Sequence, residues 1–385
     1  MPIASFKPEA FESQWIDNNS ALADICQQWL SEPYLAVDTE FVRTTTFYPK
    51  AGLIQVTSSQ GDFLIDPLAI SNWQPLKDVF LHPLVVKVFH ACAEDLEVCQ
   101  RLVGCVPEPL ADSQHAAALV GKGASMGFQR LVADVLNVDL PKGETRSNWL
   151  ERPLRPEQIQ YAVADVHYLY RIYPKLVQQL KTLGRESWLA EDCQRMVDQA
   201  NTPESLSGYF RRVKLAWKLR SQELFVLQQL AAWREQQARE RDVPRNKVID
   251  DTSMWNIARF KVKNRDQLIR SGMKPASVKA DGGDILKLVA QALELDKSHW
   301  PKQLERPLSP EAGQWLKELK VVINEQAEVL QLPAEILVRK KPLEALLRSA
   351  LPHGKGELPE LLCGWRQEII GERLLQKLQQ LAAAG

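Results

Sequence analysis

The sequence contains no uninterrupted apolar run of about 20 residues, which is the length that a membrane-spanning helix needs. Its N-terminal stretch, Met1 to Glu12, lacks the basic region followed by an apolar one that marks a secretory signal. The six cysteines form no C-x-x-C pair and no Cys/His spacing typical of zinc sites. These absences argue against a membrane protein and a disulfide-stabilised secreted protein, and they predict a reduced, cytoplasmic setting.

The chain also lacks net charge, because 48 basic residues balance 48 acidic ones. The charge is nevertheless distributed unevenly. Residues 1–200 contain 17 Lys and Arg against 25 Asp and Glu, whereas residues 201–300 contain 19 against 12. This asymmetry is typical of an acidic catalytic domain joined to a nucleic-acid-binding module, although a solvated helical surface would look the same. The length of 385 residues predicts two or three domains.

Two acidic residues follow a short apolar run near the start of the chain. Leu35 to Val37 predicts a buried strand, and Asp38 and Glu40 come directly after it. Residues i and i+2 of a strand point to the same side, about 6–7 Å apart. Two carboxylates that close repel each other, so we expect a divalent cation between them, unless the pair occupies a solvated strand end.

The elements predicted up to about residue 190 alternate between helices and strands, which indicates an α/β domain. Phe11 to Leu30 is predicted as a helix. Gly52 to Asp66 is predicted as a hairpin with its turn at Ser58 to Gly61, and Val85 to His90 as a further strand. The polar stretch Lys142 to Leu154 is either a substrate-contacting loop or an irregular connection.

Further candidate residues lie on predicted helices. Asp95 stands in the first turn of a helix predicted from Glu94 to Leu102, where an acid also simply favours the helix dipole. Tyr161 and Asp165 are four residues apart on a helix that opens near Pro156, so their side chains share one face. An Asp in mid-helix is unfavourable by propensity, which suggests that Asp165 has another role.

Taken together, these residues resemble the three motifs of the DEDD exonuclease superfamily, in the subgroup marked by a tyrosine. The resemblance covers about residues 10–195 and implies a ribonuclease H-like α/β exonuclease domain at 10–200, with a mixed sheet flanked by helices. The matching segments are Val37-Asp38-Thr39-Glu40-Phe41, His90-Ala91-Cys92-Ala93-Glu94-Asp95-Leu96 and Tyr161-Ala162-Val163-Ala164-Asp165-Val166.

The resemblance implies that two divalent metal ions, Mg²⁺ or Mn²⁺, support phosphodiester hydrolysis. In that scheme Asp38 bridges both ions, Glu40 and Asp165 share the ion that holds the attacking water, and Asp95 serves the other ion. Tyr161 orients the water through its hydroxyl, because a phenol with a pKa of about 10 is a poor base at neutral pH.

The second half of the chain resembles the HRDC domain, a small helical bundle. A first copy is expected at 205–295 and a weaker, HRDC-like copy at 305–380. An exonuclease domain followed by two all-α bundles resembles the ribonuclease D family. The segments that carry this resemblance are Leu215 to Arg220, Trp233 to Ala238, Val243 to Ala258, Leu361 to Arg366 and Gly371 to Leu375.

This family resemblance implies a 3′–5′ exoribonuclease that releases nucleoside 5′-monophosphates while processing tRNA precursors and other structured RNA 3′ ends. A 3′–5′ DNA exonuclease is an alternative, because the same acids serve both. A non-catalytic RNA-binding scaffold is a third hypothesis, and the presence of all five motif residues argues against it. We expect a monomer without membrane association.

The basic excess of the middle segment predicts contacts with RNA phosphates, which would make binding sensitive to salt. The alternative is a solvated helical surface. The candidate RNA-binding residues are Arg211, Arg212, Lys214, Lys218, Lys261 and Lys263.

Overall fold

The computed structural model describes residues 11–141, 143–144, 147–351 and 353–384. Residues 1–10 of the N-terminal stretch, and Lys142, Thr145 and Arg146 of the polar stretch, therefore lie outside the described residues. The chain divides into two compact units. The first comprises Met1–Val42, Ala51–Asn201 and Leu308–Gly385, and the second comprises Arg43–Lys50 and Thr202–Pro307.

Six strands among the described residues form one mixed sheet in the first unit. They are β1 (Ser13–Ile16), β2 (Tyr34–Val42), β3 (Lys50–Ser58), β4 (Gly61–Ile65), β5 (Val86–Phe89) and β6 (Leu110–Asp112). Their order across the sheet is β1-β4-β3-β2-β5-β6. β2 is parallel to β5 and β5 to β6, whereas β3 and β4 are antiparallel. β2 therefore lies in the interior of the sheet, between β3 and β5.

The predicted hairpin is confirmed. β3 and β4 pair in antiparallel register, and Ser58 lies opposite Gly61 at the turn. Gly61 has a φ of 127°, a conformation that residues with a Cβ rarely adopt. The glycine therefore allows the tight connection that the turn residues predict.

The prediction of a helix from Phe11 to Leu30 is wrong in its first part. Ser13–Ile16 is the strand β1, which pairs in parallel with β4 and places Ile16 opposite Ile65. The helix begins only after Asn18, whose side chain accepts a hydrogen bond from the Ala21 backbone N–H at 2.9 Å. Four residues are too few to show a period, so pairing with the neighbouring strand decides their structure.

Seven helices of the described chain accompany the sheet. They are α1 (Asn19–Trp29), α2 (Gln74–Phe80), α3 (Ala93–Leu102), α4 (Ser113–Leu119), α5 (Phe128–Leu136), α6 (Pro156–Leu183) and α7 (Glu186–Asn201). α6 covers one face of the sheet, where Val166 and Leu169 form a buried cluster with Ala36, Val88 and Ala111 of β2, β5 and β6. This packing holds α6 against β2, the two elements that carry four of the five candidate catalytic residues.

The second unit is helical within the described residues. Its helices are α8 (Ser221–Glu240), α9 (Arg245–Val248), α10 (Asp251–Phe260), α11 (Arg265–Arg270) and α12 (Pro275–Glu294), with 3-10 helices at Leu206–Arg212, Ala216–Lys218 and Lys297–His299. The loop between β2 and β3 packs here, because the Asp242 carboxylate accepts hydrogen bonds of 3.0 Å from the backbone N–H groups of Phe47 and Tyr48. Phe47 is buried, with the guanidinium groups of Arg239 and Arg245 near its ring.

The C-terminal segment returns to the first unit. Its elements are α13 (Pro310–Leu330), α14 (Ala334–Leu337), α15 (Lys340–Ala350) and α16 (Glu372–Ala384), with a 3-10 turn at Glu360–Leu362 and a π-helical turn at Gln367–Gly371. Trp365 stacks on Trp188 of α7, with ring centroids 4.2 Å apart and an interplanar angle of 6°. Apolar side chains of this bundle and of the N-terminal segments of the first unit form one continuous buried cluster. None of the described helices is both long and apolar enough to cross a membrane.

Candidate active site

Three of the predicted acids meet where β2 faces α6. Asp38 and Glu40 project from β2, and Asp165 projects from α6. Each carboxylate offers an oxygen, and the three oxygens lie within 4.8 Å of one another. The i and i+2 positions of the strand place the first two on one side, and the packing of α6 brings the third to them.

Tyr161 belongs to the same constellation. It lies one helical turn before Asp165 on α6, and the two side chains are hydrogen-bonded. Burial, and then the charge of Asp165, raise the pKa of the Tyr161 hydroxyl. The loop at Gly143 lies directly against the ring, where an added Cβ would collide with it. The tyrosine is therefore fixed in orientation, and its hydroxyl remains protonated at neutral pH.

Asp95 approaches the cluster from another direction. It lies in the first turn of α3 and is buried, with 8% of its surface exposed. The Thr39 hydroxyl donates a hydrogen bond of 2.5 Å to one of its carboxylate oxygens. Burial and then the charge of Asp38 raise the pKa of Asp95, so the two carboxylates influence each other. Asp95 is not among the three acids whose oxygens lie within 4.8 Å.

The electrostatics of the cluster favour a cation. Burial, followed by the charges of Asp38, Asp165 and Asp95, raises the pKa of Glu40 to about 10. Burial and then the charge of Asp165 raise the pKa of Asp38 well above its usual range. Burial raises the pKa of Asp165 to about 7, against a hydrogen bond from Tyr161 that lowers it. Carboxylates crowded in this way stay ionised only when positive charge compensates them.

A cavity of about 630 Å³ opens beside these acids. Its lining includes Phe128 and Arg130 from the start of α5. The His90 ring also lines it and is held by two contacts, from Nδ1 to the Ser113 hydroxyl at 2.9 Å and from Nε2 to the Met126 carbonyl at 3.1 Å. The lining residues are Asp38, His90, Gly127, Phe128, Gln129, Arg130, Gly143, Tyr161, Asp165 and Leu169.

Sequence reasoning did not select the cavity residues of α5. The preceding loop, 121–127, lacks the residue order of a phosphate-binding loop, so the sequence gives no signal for a binding site there. His90 stands in a segment that carries the exonuclease resemblance, yet its role there was not assigned. Only the packing of α5 beside α6 brings Phe128 and Arg130 to the acids, and a periodicity argument does not reveal it.

The candidate RNA-binding residues all lie in the second unit. Arg211, Lys214, Lys218 and Lys263 are exposed. The other two already have a polar partner, because Arg212 pairs with Glu204 at 2.6 Å and Lys261 donates to the Gln222 side chain at 2.5 Å. Arg211, Lys214, Lys218 and Lys263 are therefore better placed to meet phosphates, although Arg211 and Lys218 also lie over the rings of Phe210 and Trp217.

Three family models match separate parts of the chain. Residues 13–181 match a 3′–5′ exonuclease domain. Residues 223–289 match an HRDC domain, and residues 310–374 match the C-terminal HRDC domain of ribonuclease D. The chain is therefore a 3′–5′ exonuclease with helical HRDC domains, which confirms the predicted fold class. Exonucleases of this fold depend on metal ions, and the acidic cluster agrees with that requirement.

Relatives match the chain over nearly its whole length. A ribonuclease D of Pseudomonas paraeruginosa is 46% identical over 96% of this chain and 98% of its own. A ribonuclease D of Haemophilus influenzae is 33% identical over 94% of this chain and 92% of its own. The chain belongs to the ribonuclease D family. It is an enzyme, a hydrolase of the exoribonuclease type, as the family resemblance predicted.

A solved structure agrees with this assignment. The crystal structure of Escherichia coli RNase D, described as an exoribonuclease involved in structured RNA processing, superposes with a TM-score of 0.90. The two sequences are 35% identical over 96% of this chain and 99% of that one. The likeness spans the exonuclease domain and both helical bundles, and it does not favour the DNA exonuclease or the scaffold alternative.

Proposed function

We propose that the chain shortens structured RNAs, among them tRNA precursors, one nucleoside 5′-monophosphate at a time from the 3′ end. We further propose that it acts as a monomer in the cytoplasm. The observation that carries the chemistry is the meeting of Asp38, Glu40 and Asp165 within 4.8 Å beside the cavity. The RNA substrate class is inferred from the relatives, which are ribonucleases D that match this chain over almost its entire length.

Four carboxylates would hold the metal ions. These side chains offer only oxygen ligands, which suit Mg²⁺ or Mn²⁺; they are Asp38, Glu40, Asp95 and Asp165. Their pKa values are raised because the carboxylates are buried close together, and a bound cation would stabilise their ionised forms. Two bound ions would activate a water and offset the charge of the phosphate and the leaving oxygen. Asp38 interacts with both Asp165 and Asp95, so all of these carboxylates could take part in holding the ions.

Tyr161 would position the attacking water without accepting its proton. Its pKa is raised, so the hydroxyl is protonated at neutral pH and can donate or share a hydrogen bond. The contact with Asp165 and the packing of Gly143 against the ring hold the hydroxyl in one direction. A fixed hydroxyl reduces the number of orientations that the water can adopt, which lowers the entropic part of the barrier.

The cavity would take the terminal nucleotide of the RNA. Phe128 and Leu169 offer apolar surface for a base or sugar, and Arg130 offers a positive charge for a phosphate. His90, with both ring nitrogens engaged and its pKa lowered by burial, is neutral and packs edge-on against Phe128. These contacts would place the scissile phosphate next to the acids.

We propose three domains along the sequence: an exonuclease domain at 10–200 and helical bundles at 205–295 and 305–380. The first bundle would hold the body of the RNA through exposed cations. That role is supported by the basic excess of residues 201–300 and by the exposure of Arg211, Lys214, Lys218 and Lys263.

The test is digestion of a 5′-end-labelled RNA with a 3′ extension, by the native chain and by Asp38→Asn, with Mn²⁺, with Mg²⁺ and with chelator. We expect a ladder of products that shorten by single nucleotides and release of nucleoside 5′-monophosphates. Asp38→Asn should lose this activity and still bind the RNA. A DNA of the same sequence serves as the comparison substrate. Near-normal turnover by Asp38→Asn would refute the metal assignment, and equal cleavage of DNA would refute the proposed preference for RNA.

A further inference from the structure

A buried ionic cluster joins the C-terminal bundle to the exonuclease segments of the first unit. At its centre is Asp192 of α7, which is 5% exposed. Arg366 donates to both oxygens of its carboxylate, at 2.5 and 2.9 Å, and also to the Ile336 carbonyl. Nε2 of His115 contacts the same carboxylate at 2.6 Å. Burial alone would raise the pKa of Asp192, but the hydrogen bonds of His115 and Arg366 hold it at about 2.

The hydrogen bonds continue from His115 toward the candidate active site. The backbone N–H of His115 donates to one oxygen of Asp112 at 2.9 Å, and the backbone N–H of Cys92 donates to the other at 2.8 Å. Cys92 is the residue before α3, and Asp95 lies in the first turn of that helix. The Asp112 carboxylate therefore connects the start of α3 with the start of α4.

The turn that Asp112 holds is not one that the backbone adopts freely. Ala91, directly before Cys92, has a φ of 60°, in the left-handed region where a Cβ is unfavourable. Residues in such conformations persist when the surrounding structure fixes them. The bond from the Cys92 N–H to Asp112 supplies one such restraint, three residues before Asp95.

We propose that Arg366 is a positioning residue for the active site. Through Asp192, His115 and Asp112 it fixes the start of α3 and thereby the place of the Asp95 carboxylate. This inference rests on the proposed function, in which Asp95 is a metal ligand. It gives the C-terminal bundle a task in catalysis that needs no contact with RNA.

The effect of losing Arg366 follows from the chemistry of a buried carboxylate. Of its partners in this cluster, Asp192 would keep only His115. Because a buried carboxylate without its arginine is poorly compensated, Asp192 would then bind a proton or a water molecule. Either change displaces the His115 ring, and close packing passes small displacements to neighbouring groups. Removal of a group that hydrogen-bonds or orients a metal ligand typically weakens metal binding by about 10–100-fold.

A second arginine provides a matched control. Arg185 is also buried, and it donates at 2.7 Å to the carbonyls of Leu119 and of Leu330, so it too ties the exonuclease segment to the C-terminal bundle. On the exonuclease side it bonds to Leu119, at the opposite end of α4 from the cap at Asp112, and it contacts neither Asp192 nor His115. Arg185→Met should therefore loosen the same junction without disturbing Asp95.

The experiment measures Mn²⁺ binding by isothermal titration calorimetry on full-length Arg366→Met, Arg366→Lys, Asp112→Asn, Arg185→Met and Asp95→Asn, with thermal melting as a check on folding. We expect binding about tenfold weaker for Arg366→Met and for Asp112→Asn. Arg366→Lys should be intermediate, because it keeps the charge but loses the double contact. Arg185→Met should bind as the native chain does, even if it melts at a lower temperature.

The outcomes separate the two claims. If Asp95→Asn binds Mn²⁺ normally, the assignment of Asp95 in the proposed function fails. If Asp95→Asn is impaired while Arg366→Met and Asp112→Asn bind normally, the positioning role fails. It also fails if Arg185→Met weakens binding as much as Arg366→Met does. Should Arg366→Met not fold, the Asp192→Asn/Arg366→Met double variant removes both charges, and it should still bind Mn²⁺ more weakly than Arg185→Met.

Discussion

The hydroxyl of Thr39 donates a hydrogen bond of 2.5 Å to the carboxylate of Asp95. Thr39 stands between Asp38 and Glu40 on β2, and the alternation of a strand turns its side chain away from theirs. One short segment thus presents two acids on one side and, through the residue between them, holds a third acid close to them. This arrangement explains how an acid 56 residues further along the chain keeps a defined place beside the first two.

We expect Thr39→Val to weaken metal binding, because valine has the shape of threonine but cannot hold the Asp95 oxygen. A loss of about 10–100-fold in the apparent affinity for Mn²⁺ is typical of such supporting bonds. The measurement is a Mn²⁺ titration by calorimetry, together with the Mn²⁺ dependence of the cleavage rate. Thr39→Ser is the control, since it keeps the hydroxyl and should retain near-native affinity. Equal affinities for the valine and serine variants would show that the hydrogen bond has no such role.

Tyr161→Phe should slow cleavage about 10²–10⁴-fold, the range typical of groups that orient a proton or a water in the reaction. Metal binding should remain, because the hydroxyl is not among the carboxylate ligands. Single-turnover cleavage rates and Mn²⁺ calorimetry on the same preparation separate the two effects. Tyr34→Phe is a matched control, since that hydroxyl donates to the Tyr170 carbonyl at 3.2 Å. A Tyr161→Phe enzyme with a near-native rate would exclude the positioning role.

The metal-free protein should lose stability as pH rises. Burial raises the pKa of Asp165 to about 7, and burial with neighbouring charges raises that of Glu40 to about 10. The folded chain therefore holds these protons more tightly than the unfolded chain, whose carboxyl groups titrate near pH 4. The stability that this tighter proton binding gives the folded chain is complete below about pH 4. It is lost as pH rises through about 7, where Asp165 ionises, and then through about 10, where Glu40 does.

Thermal melts in chelator between pH 5 and 9 measure this effect, and we expect a falling melting temperature. Mn²⁺ should oppose the fall, because it binds the deprotonated carboxylates and so binds more tightly at higher pH. Glu40→Gln removes one of the titrating groups and should flatten the curve in chelator. A melting temperature that rises with pH in chelator would contradict the assignment of raised pKa values to these acids.

Removal of two exposed lysines of the second unit should weaken RNA binding through electrostatics. Each lost phosphate contact reduces the slope of log K against log salt by about 0.7 for single strands, so Lys214→Ala/Lys218→Ala should change it by about 1.4. The control is Lys175→Ala/Lys181→Ala on α6, which removes the same charge from exposed positions of the first unit. Filter binding across a salt series measures both. Equal changes in slope would show a general effect of charge rather than contacts in the second unit.

The acidic cluster was predictable because its determinants are local. A spacing of two on a strand fixes the shared side of Asp38 and Glu40, and a spacing of four on a helix fixes that of Tyr161 and Asp165. The hairpin was predictable for the same reason, since turn residues and flanking apolar runs are neighbours in the chain. The family resemblance then linked these separate pairs into one site.

Three features were decided only by tertiary structure. Ser13–Ile16 is a strand because β4 lies beside it, although the surrounding sequence predicts a helix. Phe128 and Arg130 reach the cavity because α5 packs beside α6. Arg366, far along the chain in the C-terminal bundle, reaches Asp192 because apolar residues of both segments share one buried core.

The sequence by itself determined which chemical groups are available and how neighbours within one element are oriented, because strand and helix periods act over a few residues. The tertiary structure decided which elements meet, because contacts between distant segments depend on the burial of surface and the pairing of buried charge. Thr39 illustrates the boundary between the two. Its position between two acids is visible in the sequence, but its bond to Asp95 exists only because α3 packs against β2.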